Sequence, residues 1–424
     1  MIVIVGGGIS GLALARELAA RGTDFVLLEA SARVGGVIRS GRVDGHLLDW
    51  GPQRTRLTRG MTELIAELGL GGEVVAAPPG LDLFVYRRGR LRRVPFSAAA
   101  FLASDIVGPA AKLRAALEPL TAGADPDESV ARYFTRKFGR ELYETLIGPL
   151  YGGLYASDPE DMVVGLSLLH VLREFGVGRS LVLKLMRGGG AVAPPPACSF
   201  RGGMEALPKA LAAALGARVR TSTPVESIHR AGAAWEVATA DETFAASVVV
   251  LAVPAPAAAR LLAPLASDAA RKIGSLRYNP LGVVHLHADT DLRGMGFQVS
   301  FAEPLALRGV TYNDSLFGRS GVYTAYLGGG IRPEVVGLGD DALARLAVDE
   351  FRLCTGYASR PLAIEREEMP AWDRSWSALH GLELPAGIHL TANWESRPGL
   401  PGRLARALSL ADQLNRPLYG KGAP

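Results

Sequence analysis

Apolar and polar positions follow three different rhythms along this chain. At the start, the apolar run Met1–Val5 predicts a buried strand, the spacing of Leu and Ala over Gly11–Arg21 an amphipathic helix, and Phe25–Glu29 a second strand. Residues 1–80 are therefore expected to alternate strand and helix. Over residues 98–190, Leu, Ala and Met recur at helical spacing. The Gly/Pro-rich stretch Arg187–Ala197 breaks that pattern and predicts a mobile loop. Beyond it, "FRGGMEALPKALAAAL" predicts a helix, "TPVESIHR" a strand, and Ser247–Pro254 a buried strand. Alternation of period two in "LGVVHLHA" and "GVYTAYLGG" makes residues 278–330 strand-rich. The last stretch, "GIHLTANWESRPGLPGRLARALSLADQL", predicts a strand, a Gly/Pro turn and a helix. Nucleotide-type pattern thus stands at both ends, with other material between.

Composition narrows this picture. The 424 residues exceed one ordinary domain, and 48% of them are hydrophobic, enough for a large core. The formal charge of +4 comes with no long basic run and no basic-aromatic repeat, which excludes a nucleic-acid partner from the expectation. Six of the 46 basic residues are lysine and 40 are arginine, so a cluster of arginines carries less information here than elsewhere. Cys198 and Cys354 are the only cysteines, with no CxxC or His-rich spacing. No metal is expected, and a reducing, cytoplasmic setting fits. No leader precedes "MIVIVGGG", and no apolar run of about 20 residues escapes interruption, so peripheral contact with a membrane is the only kind left open.

Candidate chemistry begins at "VGGGISG". Gly6, Gly8 and Gly11 form G-x-G-x-x-G after a strand and at the opening of a helix, with Glu29 at the end of the next strand. That context fits a dinucleotide. The glycines let the backbone approach a pyrophosphate, the helix N-terminus offers free N–H groups, and Glu29 can accept ribose hydroxyls. The continuation "EASARVGGVIRS" distinguishes FAD from NAD. Arg33, Gly35, Gly36 and Ser40 match the R-x-G-G signature of one large group of flavoproteins, in which a second glycine pair closes on the phosphates while the arginine supplies charge. A helix starting near Pro401–Gly402 would aim its positive end at the flavin.

The segment Arg132–Val164, with Gly153, Tyr155, Ala156, Asp158 and Pro159 standing as G-x-Y-A-x-D-P, resembles the oxygen-dependent protoporphyrinogen and coproporphyrinogen oxidases. "FRGGMEALPKAL", "TPVESI", "VVVLAVPA" and "YLGG" follow in that family's order, so the resemblance spans essentially the whole chain, with Leu150–Asp161 its specific part. It implies an α/β fold: a Rossmann-like FAD-binding domain of discontinuous segments, a sheet-containing substrate domain and a helical insertion. The divisions expected are 1–80, 191–258 and 379–424 for the FAD domain, 81–97 and 259–378 for the substrate domain, and 98–190 for the insertion, which would serve membrane or dimer contacts.

The implied activity is six-electron oxidation of protoporphyrinogen IX to protoporphyrin IX in heme biosynthesis, with three O2 reduced to three H2O2. A meso C–H hydride would go to the flavin and pyrrole N–H protons would leave. No side chain is assigned acid-base work, and no Cys/His or Ser/His/Asp constellation stands out. The implied flavin contacts are Gly6, Gly7, Gly8, Ile9, Ser10, Gly11, Glu29, Ala30, Arg33, Gly36, Val37, Gly51, Pro52, Gln53, Arg54, Val225, Asn393, Pro398, Gly399 and Leu400, with Val225 meeting adenine through its backbone. Gly296 would place a carbonyl near the reacting carbon, and Leu327 and Tyr326 would pack on the ring. Ordinary strand packing is the plainer account of these three.

Porphyrinogens carry propionates, and several members of the family place an arginine where this chain has Leu83. Arg56 or Arg59 in "DWGPQRTRLTRG" is the expected substitute, against a plain reading as solvated charges. "YRRGRLRR" (Tyr86–Arg93) reads as a charged hairpin around Gly89, with contact to anionic lipid or a ferrochelatase as its functional alternative. A monomer and a homodimer both fit. Coproporphyrinogen III is the alternative substrate. An amine oxidase is the nearest rival activity, disfavoured because no lysine lies between Lys272 and Lys421. A carotenoid desaturase would lack the Leu150–Asp161 segment. A non-catalytic porphyrin-binding flavoprotein is the reading from another class.

Overall fold

A computed structural model describes residues 1–186, 195–396 and 398–415. Residues 187–194 of the expected loop, Arg397 and the stretch around Lys421 lie outside the described residues. The chain builds an α/β fold around two sheets. The first is parallel, in the order Val219–Arg220, Phe25–Leu28, Ile2–Val5, Val248–Leu251, Ile388–Leu390. Its three central strands are apolar at every position because both faces are covered, while the edge strands admit Arg220 and His389. Ile2, Ile4 and Leu27 point at the helices Ile9–Ala20, Ala206–Leu215 and Leu400–Leu414 through Leu12, Leu211 and Leu410. Val3, Val5, Val26 and Leu28 point the other way, at a three-stranded antiparallel sheet that contributes Trp235, Val237 and Phe244. Sequence-distant strands thus meet in one Rossmann-like sheet, as the pattern at the two chain ends predicts.

The second sheet has seven strands in the order Arg360–Pro370, Tyr278–His287, Val322–Gly328, Leu307–Tyr312, Gly296–Val299, Leu83–Arg87, Arg90–Arg93. One face is apolar. Val284, Leu286, Val310, Ala325 and Leu327 bury against Leu343, Ala347 and Phe351 of the helix Asp340–Thr355. The charged hairpin expected at Gly89 is present, with Arg87 opposite Arg90 and positive φ at Arg88 and Gly89. Its cations are largely matched by acids: Arg87 with Glu141, Arg92 with Asp105 and Arg93 with Asp82.

Two local expectations change. A hairpin, Arg39–Val43 with His46–Trp50, follows the second strand, turning through Asp44 (φ 50°) and Gly45 (φ 81°). Phe200, expected in a helix, instead ends the strand Ala197–Phe200, which pairs with Thr55–Arg56 and Val74–Ala76. The helix begins only at Ala206. Pairing buries Cys198 and Phe200 almost completely, and Gly202–Gly203 separates them from the helix.

The helical region, from Ala98–Ala103 to Leu181–Met186, has its own core around Tyr133, Phe138, Leu142 and Met162. Inside it Lys137 Nζ lies 2.9 Å from Glu118, both side chains at most 1% exposed. Lys137 also donates to the Arg179 carbonyl. Glu118 accepts from Ser180 Oγ and from the N–H groups of Leu181 (3.2 Å) and Val182 (3.3 Å). Burial alone would raise the Glu118 pKa, but the bonds from Ser180, Lys137 and Leu181 outweigh it and leave the carboxyl below its ordinary range.

Removing the lysine strands that carboxylate. Lys137→Met is expected to cost about 3–5 kcal/mol of stability, read from denaturant midpoints. Because the folded pKa of Glu118 is depressed, its contribution is present above the unfolded value near 4.5 and disappears as pH falls through the folded value. The gap between wild type and variant should therefore close in acid, and a gap constant with pH would contradict the assignment.

Candidate functional site

The glycine loop has the shape a dinucleotide requires. A Cβ on Gly11 would stand 2.0 Å from the Gly6 carbonyl oxygen, and one on Gly6 would stand 2.6 Å from that of Ala252, so the loop and sheet pack without side chains. At Gly8 a Cβ would meet nothing within 4 Å, leaving an open approach to the backbone. The helix Ile9–Ala20 has no side-chain cap at Gly8, so its first N–H groups are available to an anion. Ser10 and Gly11 are buried within that helix, and Ile9 is half-buried. Glu29 accepts from Gly7 N (2.6 Å) with Oε2 and from Ser31 N (2.8 Å) and Oγ (2.6 Å) with Oε1. Ala30 beside it is exposed. Val225 is buried, and neither its N–H nor its C=O has a partner among the described residues, as adenine recognition through the backbone would need.

The R-x-G-G segment closes on this loop, with Gly35 N donating to the Gly7 carbonyl (2.8 Å) and Gly36 beside the Gly8 Cα. The Arg33 guanidinium donates to the carbonyls of Gly36 (2.7 Å), Ile38 (3.2 Å) and Val34 (3.3 Å), so it fastens the loop. Val37, 61% exposed, follows. At the C-terminal end, Gly399 (φ 85°) opens the helix Leu400–Leu414 without a side-chain cap, next to exposed Pro398. Arg403, 8% exposed, braces the preceding turn through the carbonyl of Asn393 (2.8 Å) and Ser396 Oγ (2.6 Å), and burial pushes its pKa down to about 10.

Between the sheets runs a buried polar layer that the sequence pattern did not announce. Asp49, fully buried, lies 2.6 Å from Arg319 Nη2, and accepts from Met204 N (2.8 Å) and Ser40 Oγ. Arg319 also donates to Ser199 Oγ (2.8 Å). Gly51 (φ 86°) follows, its α-carbon so close to Val37 that a Cβ would stand 2.3 Å from the Val37 carbonyl oxygen. After half-buried Pro52, Gln53 accepts from Asn313 Nδ2 (3.2 Å) and Thr324 Oγ1 (3.1 Å), and Thr324 contacts His285 Nδ1 (3.1 Å). Burial, helped by Arg319, lowers the His285 pKa to about 4, so the ring is neutral near pH 7.

Cross-strand register decides what the second sheet offers this layer. Gly296, Thr311, Thr324 and His285 stand in one row, and Gln298, Gly309, Tyr326 and Val283 in the next row on the same face. Successive residues alternate faces. Tyr326 therefore looks toward Gln53 and Arg54. Leu327 is fully buried on the other face against Leu343 and is not part of a pocket wall, which corrects the expectation that both would pack on the ring. Gly296 has φ 132° and lies so close to the next strand that a Cβ would stand 2.0 Å from the Val310 carbonyl oxygen.

The arginines separate in the same way. Arg59 is fully exposed and pairs with Glu63 at 2.8 Å, and Arg56 donates to the Pro195 carbonyl at 3.0 Å. The expected propionate role finds no support at Arg59, whose charge is already matched in solvent. Arg54 is different. It is half-buried, its Nη1 is shielded and unpartnered, and desolvation lowers its pKa, only partly offset by Tyr326. Tyr326 is raised to about 12 by desolvation, against opposing effects of Thr311 and Arg54, and Glu367 is raised by desolvation as well. All three keep some accessible surface and yet are desolvated, the combination expected of groups lining an enclosed cleft.

The Leu150–Asp161 segment braces the end of the Tyr326 strand. Ala156 (φ 50°) accepts from Gly330 N (2.8 Å), and Gly329 packs on the same carbonyl. Ser157 Oγ accepts from Asn279 Nδ2 (2.8 Å).

Comparison with known proteins agrees with this architecture. The family model described as flavin containing amine oxidoreductase matches residues 9–379. The chain is 30% identical over 391 residues to protoporphyrinogen oxidase 1, chloroplastic, of Spinacia oleracea, covering 82% of this chain and 69% of that one. It is 34% identical over 171 residues to coproporphyrinogen III oxidase of Staphylococcus aureus, covering 37% and 36%. A crystal structure from Exiguobacterium sp. 255-15, provisionally assigned to the protoporphyrinogen oxidases, superposes with a TM-score of 0.79 at 24% identity over 97% of this chain and 98% of that one.

Asp49→Ala would leave the Arg319 guanidinium buried without its carboxylate. The urea midpoint should fall by the equivalent of about 3–5 kcal/mol with an unchanged denaturant slope. A loss within about 0.5 kcal/mol would mean the ion pair does not hold the sheets together.

Proposed function

The chain belongs to the flavin-containing amine oxidoreductase family, and from that premise we propose that it oxidises a porphyrinogen to a porphyrin, with protoporphyrinogen IX as substrate and O2 as acceptor. It is an FAD-dependent oxidoreductase. One observation carries the substrate reading: the match to the spinach protein covers 82% of the chain, too much to be confined to the dinucleotide half. Amine oxidation is disfavoured because the stretch between Lys272 and Lys421, which supplies most of the second sheet, contains no lysine.

FAD, when bound, supplies a two-electron acceptor that O2 can reoxidise. Gly6 to Gly11, Gly36, Gly51 and the start of the helix Leu400–Leu414 are the parts of the chain suited to hold it. The work left to side chains is orientation and exclusion of water. His285 is neutral and bonded to Thr324, and Tyr326 stays protonated near pH 7, so neither is a ready base. That suits a macrocycle able to move its own protons by tautomerisation.

The helical region supports peripheral attachment to a membrane. Phe96, Leu102, Leu113, Leu120, Leu154 and Phe175 are each at least 65% exposed. Among the described residues no helix is long and apolar enough to cross a membrane. Coproporphyrinogen III remains the second reading, favoured by the Staphylococcus match.

Purified FAD-loaded protein mixed with protoporphyrinogen IX in air should show growth of a Soret band together with H2O2. Absence of both with either porphyrinogen would overturn the proposal. A faster initial rate with coproporphyrinogen III, measured side by side, would favour the second reading.

A further inference from the structure

Among the described residues, Arg54 Nη1 is shielded and has no hydrogen-bond partner. The nearby acids have other neighbours: Asp49 on the hairpin strand His46–Trp50 is matched by Arg319, and on the second sheet Glu365 is matched by Arg39 at 2.5 Å and Glu367 by the Gly51 N–H. Arg39 is further stacked over Trp50 at 4.7 Å. Arg54 sits on the turn pinned by Gly51 and by the Gln53 contacts to Asn313 and Thr324, so its backbone is held in place. It neighbours Tyr326 of the second sheet, and Nη1 is shielded from water without a hydrogen bond among the described residues. A half-buried cation with a shielded, unpartnered nitrogen is costly unless an anion completes the site.

Building on the porphyrinogen reading, we propose that Arg54 is the cation that takes a substrate carboxylate, orienting the macrocycle with a propionate-bearing edge toward the Gly51–Arg54 turn. Its planar fork suits bidentate carboxylate binding. The side where Leu83 stands, half-buried against the helical core through Val85, Tyr143 and their neighbours, is then left for an apolar edge of the ring. Neither Arg56, bonded to the Pro195 carbonyl, nor Arg59, paired with Glu63, is required.

Binding of the oxidised porphyrin tests this without turnover. FAD-loaded wild type and Arg54→Gln would be titrated with protoporphyrin IX and with its dimethyl ester, following porphyrin fluorescence. Wild type should prefer the diacid by about tenfold to hundredfold, the range of one hydrogen-bonded charge pair. Arg54→Gln should bind both forms alike, and Arg54→Lys should recover part of the preference, with flavin content and absorbance unchanged in both variants. A preference that survives in Arg54→Gln overturns the proposal. So does a shifted flavin spectrum or lost flavin with the preference intact, which would assign Arg54 to the cofactor. Wild type that oxidises porphyrinogen while Arg54→Gln keeps its preference sinks this inference alone. Wild type that oxidises no porphyrinogen sinks the reading beneath it.

Discussion

A single carboxylate, that of Asp49, ties the hairpin strand His46–Trp50 to the turn before the strand Val322–Gly328 of the second sheet. It is fully buried, and a buried carboxylate persists only with its partners in place. Its three direct partners come from three parts of the chain. Ser40 lies on the same hairpin and Met204 before the helix Ala206–Leu215. Arg319 lies in the turn between two strands of the second sheet, and Ser199, bound through Arg319, lies on the strand Ala197–Phe200. A shift of one sheet against the other would break several charge-assisted bonds together. The turn that follows Asp49, and everything mounted on it, inherits that fixity.

The layer beside Asp49 extends the same constraint with neutral groups. Gln53, Asn313, Thr324 and His285 bond in sequence across the interface, and Trp50 meets the His285 ring edge-on with centroids 6.0 Å apart. In a low-dielectric interior such a chain fixes orientation because each member left unpaired is costly. The second sheet therefore has two unlike faces. Toward Asp340–Thr355 it is a continuous apolar core, and on the other face it carries a set of held polar groups with Tyr326 next to Arg54.

The parts legible in the sequence were those with local causes. Gly6, Gly8 and Gly11 follow from the close approach of backbone at one loop, and the strands Ile2–Val5 and Val248–Leu251 from being buried on both sides. The hairpin at Asp44–Gly45 was also written locally, as an Asp-Gly pair of the kind that turns two strands tightly, but the strand-helix rhythm around it masked the signal. Asp49 with Arg319, and Gln53 with Asn313 and Thr324, were illegible for a different reason. Separations such as the 260 residues between Gln53 and Asn313 leave no periodic trace. Tyr326 and Leu327 show a signal that was available and unused. Adjacent residues of one strand point to opposite faces, so only one of them could face the cleft.

In a chain with 40 arginines, presence of the residue says little, and the partner decides. Arg33 is absorbed by loop carbonyls, Arg403 by the turn before the last helix, Arg319 by Asp49 and Arg59 by Glu63. Each of these positive charges is explained by groups within the protein. Arg54 follows five residues after the buried Asp49 carboxylate, yet among the described residues its Nη1 is shielded and has no hydrogen-bond partner. The charge it carries suits an anion that arrives from outside.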